Sequence, residues 1–238
     1  MVSQPISVYL NSILVKRCGK TVLGPIDLDL KVDGFTILLG PNGSGKTTFL
    51  RILHGVERAS SGVMQWSMPN EQAHQAQAYV FQSPIMLRRS VRQNLAYPLQ
   101  LIGMDKDEIS SRVSEWAQKI GLQDALEFPA PRLSGGEKQK LALGRALIRM
   151  PDVLFLDEPC ANLDGRSTRE IEDLLHDATQ VGTRIIMTTH DLGQARRLAD
   201  SVLFLLNGTL HEKGPASIFF AMPRTIEAKA FLNGDIIE

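Results

Sequence analysis

The chain moves between two hydrophobic rhythms. Through 26–32 apolar and polar residues alternate, with Ile26, Leu28, Leu30 and Val32 on one side and Asp27, Asp29 and Lys31 on the other. A period of two with one solvated face predicts an antiparallel strand. A further strand is predicted over 6–9. Residues 35–39 form a short apolar run into a glycine-rich stretch, and 47–54 then reads as a helix closed by Gly55. From 57 to 78 the chain is polar and without clear period, with a turn predicted at Ser60-Ser61-Gly62; 79–81 reads as a strand. Between 93 and 121 the rhythm becomes helical, carried by Leu95, Leu99, Leu101 and Ile102 and then by Ile109, Val113, Trp116, Ala117 and Ile120. A helix over about 137–149 stops before Pro151. Strands at 153–156, 184–188 and 202–206 then alternate with helices near 167–180 and 191–199. Turns at Asn207-Gly208 and Lys213-Gly214-Pro215 precede a helical tail. This alternation predicts an α/β fold with a mostly parallel sheet covered on both faces, an antiparallel β part at the amino-terminal end, and a small helical subdomain at about 90–150 within a single domain spanning 1–238.

Bulk properties narrow the function. The chain has 238 residues, enough for one large domain with a substantial core. Lys plus Arg and Asp plus Glu are both 26, so the formal net charge is zero, and no basic run offers a nucleic-acid footprint. Two cysteines, Cys18 and Cys160, do not make a disulfide framework, which fits a reducing cytosol. The first residues lack the basic start of a signal peptide, and Pro5, Ser7 and Asn11 interrupt any apolar run. No apolar stretch approaches the ~18–20 residues of a membrane span, so a transport role requires a separate membrane partner.

Three segments carry chemistry. In Gly40-Pro41-Asn42-Gly43-Ser44-Gly45-Lys46-Thr47-Thr48, glycines let the backbone wrap so that its N–H groups face phosphate oxygens. The positive end of the following helix points to the same spot. Lys46 can reach the β- and γ-phosphates, and the Thr47 hydroxyl can ligate Mg²⁺. In the second segment, Asp157 ends an apolar strand and is followed by Glu158; a carboxylate at such a strand end can hold Mg²⁺ directly or through water. The third, Leu133-Ser134-Gly135-Gly136-Glu137-Lys138-Gln139, offers a hydroxyl and backbone N–H groups at a helix start, an anion site.

In this order the segments resemble the ATP-binding cassette (ABC) ATPases, the motor subunits of ABC transporters, over nearly the whole chain. The resemblance implies the P-loop NTPase fold, with ATP and Mg²⁺ bound. It implies that Glu158 is the general base for the attacking water, that Gln82 senses Mg²⁺ and that water, and that His190 contacts the γ-phosphate. It implies that Ala161-Asn162-Leu163-Asp164 crosses a dimer interface, and that Leu133, Ser134, Gly135, Gly136 and Glu137 bind the nucleotide held by the other copy of a head-to-tail homodimer. One departure stands out. Where the family places an aromatic residue to stack on adenine, this chain reads Val15-Lys16-Arg17-Cys18-Gly19-Lys20. Arg17 can stack its guanidinium plane on the base, or Val15 and Val22 can supply apolar contact.

The resemblance also implies partners: permease subunits in the membrane, with the ATPase peripheral on its cytoplasmic face, and indirectly an extracytoplasmic solute-binding protein. The stretch 81–96 resembles the importer groove for a permease helix, with Met86, Leu87, Val91, Leu95 and Tyr97 as candidate lining. The chain ends near the last cassette elements, without the carboxy-terminal domain of sugar-type importers. Leu53-His54-Gly55 and Pro84-Ile85-Met86-Leu87-Arg88-Arg89-Ser90-Val91 resemble tungstate-type ATPases, which points to tungstate or a related oxyanion as cargo. Phosphate or polar amino-acid import is the alternative, and an exporter or lipid-extraction role would use the same ATPase chemistry. A soluble ABC protein acting on DNA or ribosomes fits poorly, with one cassette and no heptad run. A non-hydrolysing clamp is at odds with Glu158 and His190.

Overall fold

The computed structural model describes residues 6–235; Met1 to Pro5, on which the reading of the amino terminus partly rests, and Ile236 to Glu238 lie outside them. Two sheets organise the described chain. Strands β1 (Ile6–Arg17), β2 (Lys20–Val32) and β4 (Ser61–Trp66) form an antiparallel sheet in the order β2-β1-β4. Strands β3 (Phe35–Leu39), β5 (Gln77–Val80), β6 (Val153–Asp157), β7 (Arg184–Thr188), β8 (Ser201–Leu206) and β9 (Thr209–Pro215) form the second, in the order β5-β6-β7-β3-β8-β9. All its pairs are parallel except β8 with β9.

Helices α1 (Lys46–His54), α2 (Asn70–Ala76), α3 (Val91–Leu101), α4 (Lys106–Lys119), α5 (Gly135–Leu147), α6 (Gly165–Gln180), α7 (Leu192–Leu198), α8 (Ala216–Ala221) and α9 (Ile226–Asn233) complete the chain. The parallel strands are apolar throughout because both faces are covered. Leu38, Phe155, Ile186 and Leu205 point into a cluster shared with α1 and the antiparallel sheet. Ile37, Leu39, Leu156, Met187 and Phe204 point into a larger one with residues of α3, α4, α5 and α6. Each such fully buried side chain contributes about 1.5–3 kcal/mol of transfer free energy.

Several elements differ from the sequence expectations. Strand β1 runs on to Arg17 and turns into β2 through Cys18 and Gly19, both at positive φ (48° and 77°), as a tight hairpin requires. The extension was hidden because register shifts near Ser12 break the period-two pattern. The polar stretch 57–78 contains β4 and α2. Strand β4 is an edge with one buried residue, Trp66, so it shows no alternation. Ser61 and Gly62 belong to this strand rather than to a turn, and a Cβ on Gly62 would stand 2.4 Å from the Ser12 carbonyl oxygen. The helical stretch 93–121 is two helices, parted by Gly103 at φ 71°. Lys213-Gly214-Pro215 lies in β9, paired with β8, and is not a turn.

Candidate functional site

The glycine loop joins β3 to α1. Gly40, Gly43 and Gly45 all have positive φ (149°, 80° and 96°). A Cβ on Gly40 would meet the Leu205 carbonyl oxygen at 2.0 Å, so the loop can sit this close to β8 only with glycine there. Gly45 is the N-cap of α1, with no side-chain cap and no acid in the first turn. The first-turn N–H groups therefore point at open space with their positive end unopposed. Lys46 is buried and its Nζ donates to the carbonyls of Gly40 (2.8 Å) and Pro41 (3.0 Å), arching over the loop. Burial lowers its pKa, while the charges of Glu158 and Asp157 work in the opposite direction. The Ser44 hydroxyl is buried and has no hydrogen-bond partner among the described residues. Orphan donors around a lysine fit an anion, and a phosphate chain satisfies them.

Asp157 stands at the carboxyl end of β6, buried, beside the loop. Its Oδ1 accepts from the hydroxyls of Thr47 and Thr188, each at 2.9 Å. The Thr188 hydroxyl also accepts from the Glu158 backbone N–H at 2.9 Å. Glu158 has φ 45°, an uncommon conformation for a side-chain-bearing residue. The Glu158 Oε2 faces His190 Nδ1 at 3.1 Å and the Gln82 amide at 3.4 Å. One cleft of about 630 Å³ is lined by Arg17, Val22, Asn42, Gly43, Gly45, Lys46, Thr47, Thr48, Gln82, Glu158, Ala161, Asn162 and His190. The parallel register explains this convergence: the ends of β3, β5, β6 and β7 lie side by side.

A second cleft of about 300 Å³ lies at the start of α5, lined by Ser134, Gly135, Gly136, Glu137, Lys140, Asn162, Leu163, Asp164 and Ser167. Ser134 caps α5 in a capping box: its hydroxyl accepts from the Glu137 N–H, and Glu137 accepts from the Ser134 N–H at 2.8 Å. The Ser134 hydroxyl, which donates to Glu137 Oε2 at 2.7 Å, and the Ser134 N–H hold the Glu137 carboxyl below the usual range. Leu133 points into the larger apolar cluster and anchors the cleft rather than lining it. Asp164 caps α6 through the Ser167 N–H. Asn162 lines both clefts.

Sequence reasoning missed Thr188, whose role depends on its pairing with Asp157 across β6 and β7. It also missed Glu57, which binds the Arg17 Nη2 with both carboxylate oxygens at 2.6 and 2.8 Å and holds that side chain at the cleft wall. Val15 is corrected: it is buried in the core and does not reach the cleft, whereas Val22 does. Val91 and Leu95, offered as groove lining, are fully buried core; Leu87 and Tyr97 do line a groove, with Ile85, Leu101 and Arg145. His54 packs edge-on against Tyr79 and Phe155, so the Leu53-His54-Gly55 cue reports packing rather than chemistry in the cleft.

The ABC transporter family profile matches residues 23–161, from within β2 to the residues after Glu158. The chain belongs to the ABC transporter family. Its ABC ATP-binding relatives are ATPases, and this chain is an ABC ATPase that binds ATP. It is 39% identical over 196 residues to the tungstate uptake system ATP-binding protein TupC of Peptoclostridium acidaminophilum, covering 82% of this chain and 92% of that one. It is 34% identical over 237 residues to the phosphate import ATP-binding protein PstB 2 of Natronomonas pharaonis, covering 92% and 84%. A solved ATP-binding subunit of an ABC transporter superposes with a TM-score of 0.81 at 22% identity, covering 95% of the ABC ATPase and 99% of that chain, which shows the shared fold. Among the described residues no helix is long and apolar enough to cross a membrane.

Proposed function

We propose that this ABC ATPase powers an importer and that its cargo is tungstate or a related oxyanion. The observation that carries the ATPase half is the convergence of Lys46, Thr47, Asp157, Glu158, Gln82 and His190 on one cleft. Lys46 and the α1 N-terminus bind the β- and γ-phosphates of ATP. Thr47 and Asp157 present adjoining hard oxygens that would hold Mg²⁺. When bound, Mg²⁺ neutralises charge developing on the phosphates. Glu158 orients and accepts the proton of the attacking water. His190 and Gln82 hold the Glu158 carboxylate in place and complete the water's surroundings. Arg17, fixed by Glu57, stacks on the base, with Val22 against its edge.

The second cleft takes the γ-phosphate of a nucleotide held by another copy of this chain, in a head-to-tail homodimer. Ala161 to Asp164 lie between the two clefts and cross that interface. The groove lined by Ile85, Leu87, Tyr97, Leu101 and Arg145 supports docking of a permease element, with the ATPase working at the cytoplasmic membrane face. A solute-binding protein delivers cargo to the permease from outside.

The cargo reading rests on the similarity to the tungstate uptake protein. The similarity to a phosphate import protein favours phosphate as the second reading. The test is elemental uptake: delete the gene in its source organism and measure cellular tungsten, molybdenum and phosphorus at low external supply. A selective loss of tungsten supports the reading. Normal tungsten with depleted phosphorus replaces it with the second.

A further inference from the structure

His190 is lightly held among the converging residues. Its side chain is 58% exposed, with Nδ1 3.1 Å from Glu158 Oε2. Its position therefore follows the backbone, and the backbone after it enters α7, a helix of two turns capped by Asp191. A helix this short is not stable alone. Beside the packing of Leu192, Ala195 and Leu198 on the apolar core, one carboxylate on α6 ties α7 down. The Glu172 Oε1 accepts from the Gln194 amide at 3.1 Å and from Arg197 Nη2 at 2.7 Å, and its Oε2 accepts from Arg197 Nε at 3.0 Å. Glu172 and Gln194 are both buried. The other Arg197 terminal nitrogen lies against Gly193, beside the Asp191 cap. Removing this carboxylate would leave the buried Gln194 amide and the Arg197 fork without their acceptor, which is costly.

Helix α6 also meets the second cleft. Two residues before Glu172, Glu170 binds Lys140 of α5 at 2.9 Å. One turn earlier, a Cβ on Gly136 would stand 3.0 Å from the Ser167 hydroxyl. Helix α6 thus grips α5 with one acid and α7 with another, so the start of α5 and the residue His190 share a single rigid reference.

We propose that Glu172 is a positioning residue for hydrolysis: by locking α7 onto α6 it sets where His190 stands over the Glu158 carboxylate. Its side chain never meets the nucleotide; it acts through His190. The proposal rests on the reading that His190 serves the hydrolysis step, and the experiment separates the two. Purified wild type, Glu172→Ala, His190→Ala and the double variant are assayed for kcat and for KM of MgATP, with ATP binding measured directly. Misplacing a catalytic group by about 1 Å costs up to roughly 100-fold, so Glu172→Ala should lower kcat by about 10- to 100-fold. KM and ATP affinity should stay within about twofold. In the His190→Ala background the Glu172 substitution should add no further loss, because the group it positions is gone.

Losses that multiply in the double variant overturn the proposal, as does an unchanged kcat in Glu172→Ala. A fully active His190→Ala overturns the reading of His190, and the proposal with it. If Glu172→Ala does not fold, Glu172→Gln keeps the skeleton and carries the same cycle, and Arg197→Lys, which keeps the charge but loses the fork, should fall between it and wild type.

Discussion

Replacing Glu158 by Gln asks whether its carboxylate takes a proton or merely occupies space. Gln preserves the skeleton, so the positive φ of 45° carries the same strain in both proteins. The amide oxygen can still face Gln82 and His190, which now stand 3.4 and 3.1 Å from Oε2. One like charge beside buried Asp157 disappears. Stability should therefore change by less than about 0.5 kcal/mol, a Tm shift of under roughly 2 °C for a chain of this size. What is lost is the ability to accept the water's proton. A positioned base contributes about 10²–10⁴-fold, so kcat should fall by that factor, equivalent to about 3–5 kcal/mol of barrier. ATP affinity should hold within about twofold, because the phosphate contacts lie on Lys46 and the loop. Burial lowers the Lys46 pKa; losing the Glu158 charge removes the larger of the two opposing charge effects and leaves that of Asp157. The assay is steady-state phosphate release against MgATP, paired with equilibrium nucleotide binding and size-exclusion chromatography in ATP. The variant should accumulate as an ATP-bound dimer. Turnover within about threefold of wild type would refute the base assignment.

Other outcomes follow from the same geometry. Lys46→Ala removes the one cation arched over the loop and should abolish nucleotide binding at ordinary concentrations; normal ATP hydrolysis by that variant would end the P-loop reading. Ser134→Arg fills the smaller cleft and should leave ATP binding intact while blocking hydrolysis; full activity would argue against a site shared between two copies. Burial pushes the Cys160 thiol up to about 11, so only about a thousandth is thiolate at pH 8. Iodoacetamide should label exposed Cys18 first, and the Cys160 rate should rise about tenfold per pH unit between 8 and 10, read by peptide mass spectrometry; equal labelling of the two at pH 8 would contradict its burial.

The elements that were legible in the sequence are those with both a strong pattern and local causes. The run 35–39 feeding a glycine loop, and the acids ending 153–157, announce themselves because strand, turn and helix each leave a mark within a few residues. Residues set by long-range pairing left none. Thr188 matters only because β7 lies beside β6 in a register that puts it across from Asp157. Glu57 matters only because the β1–β2 hairpin carries Arg17 to it. Strand β4 went unseen since an edge strand on a polar face need not alternate. Val91 and Leu95 were misplaced for the opposite reason: an apolar helix position looks alike whether it faces a partner or a core, and only the fold decides.

The place of β3 in the sheet has a consequence for how the protein is made. Its neighbours on both sides, β7 and β8, begin about 150 residues later in the chain, and ribosomes add roughly 5–20 residues per second. The hairpin of β1 and β2 and its partner β4 are local and can form early. Strand β3, apolar along its whole length, must wait roughly 8–30 s for its neighbours to emerge. Until then the glycine loop has no β8 to rest on, Asp157 has no Thr188 across from it, and ATP has no site to stabilise. The nascent chain therefore passes its most aggregation-exposed interval without help from its own ligand, and shielding in that interval has to come from chaperones or from the speed of synthesis.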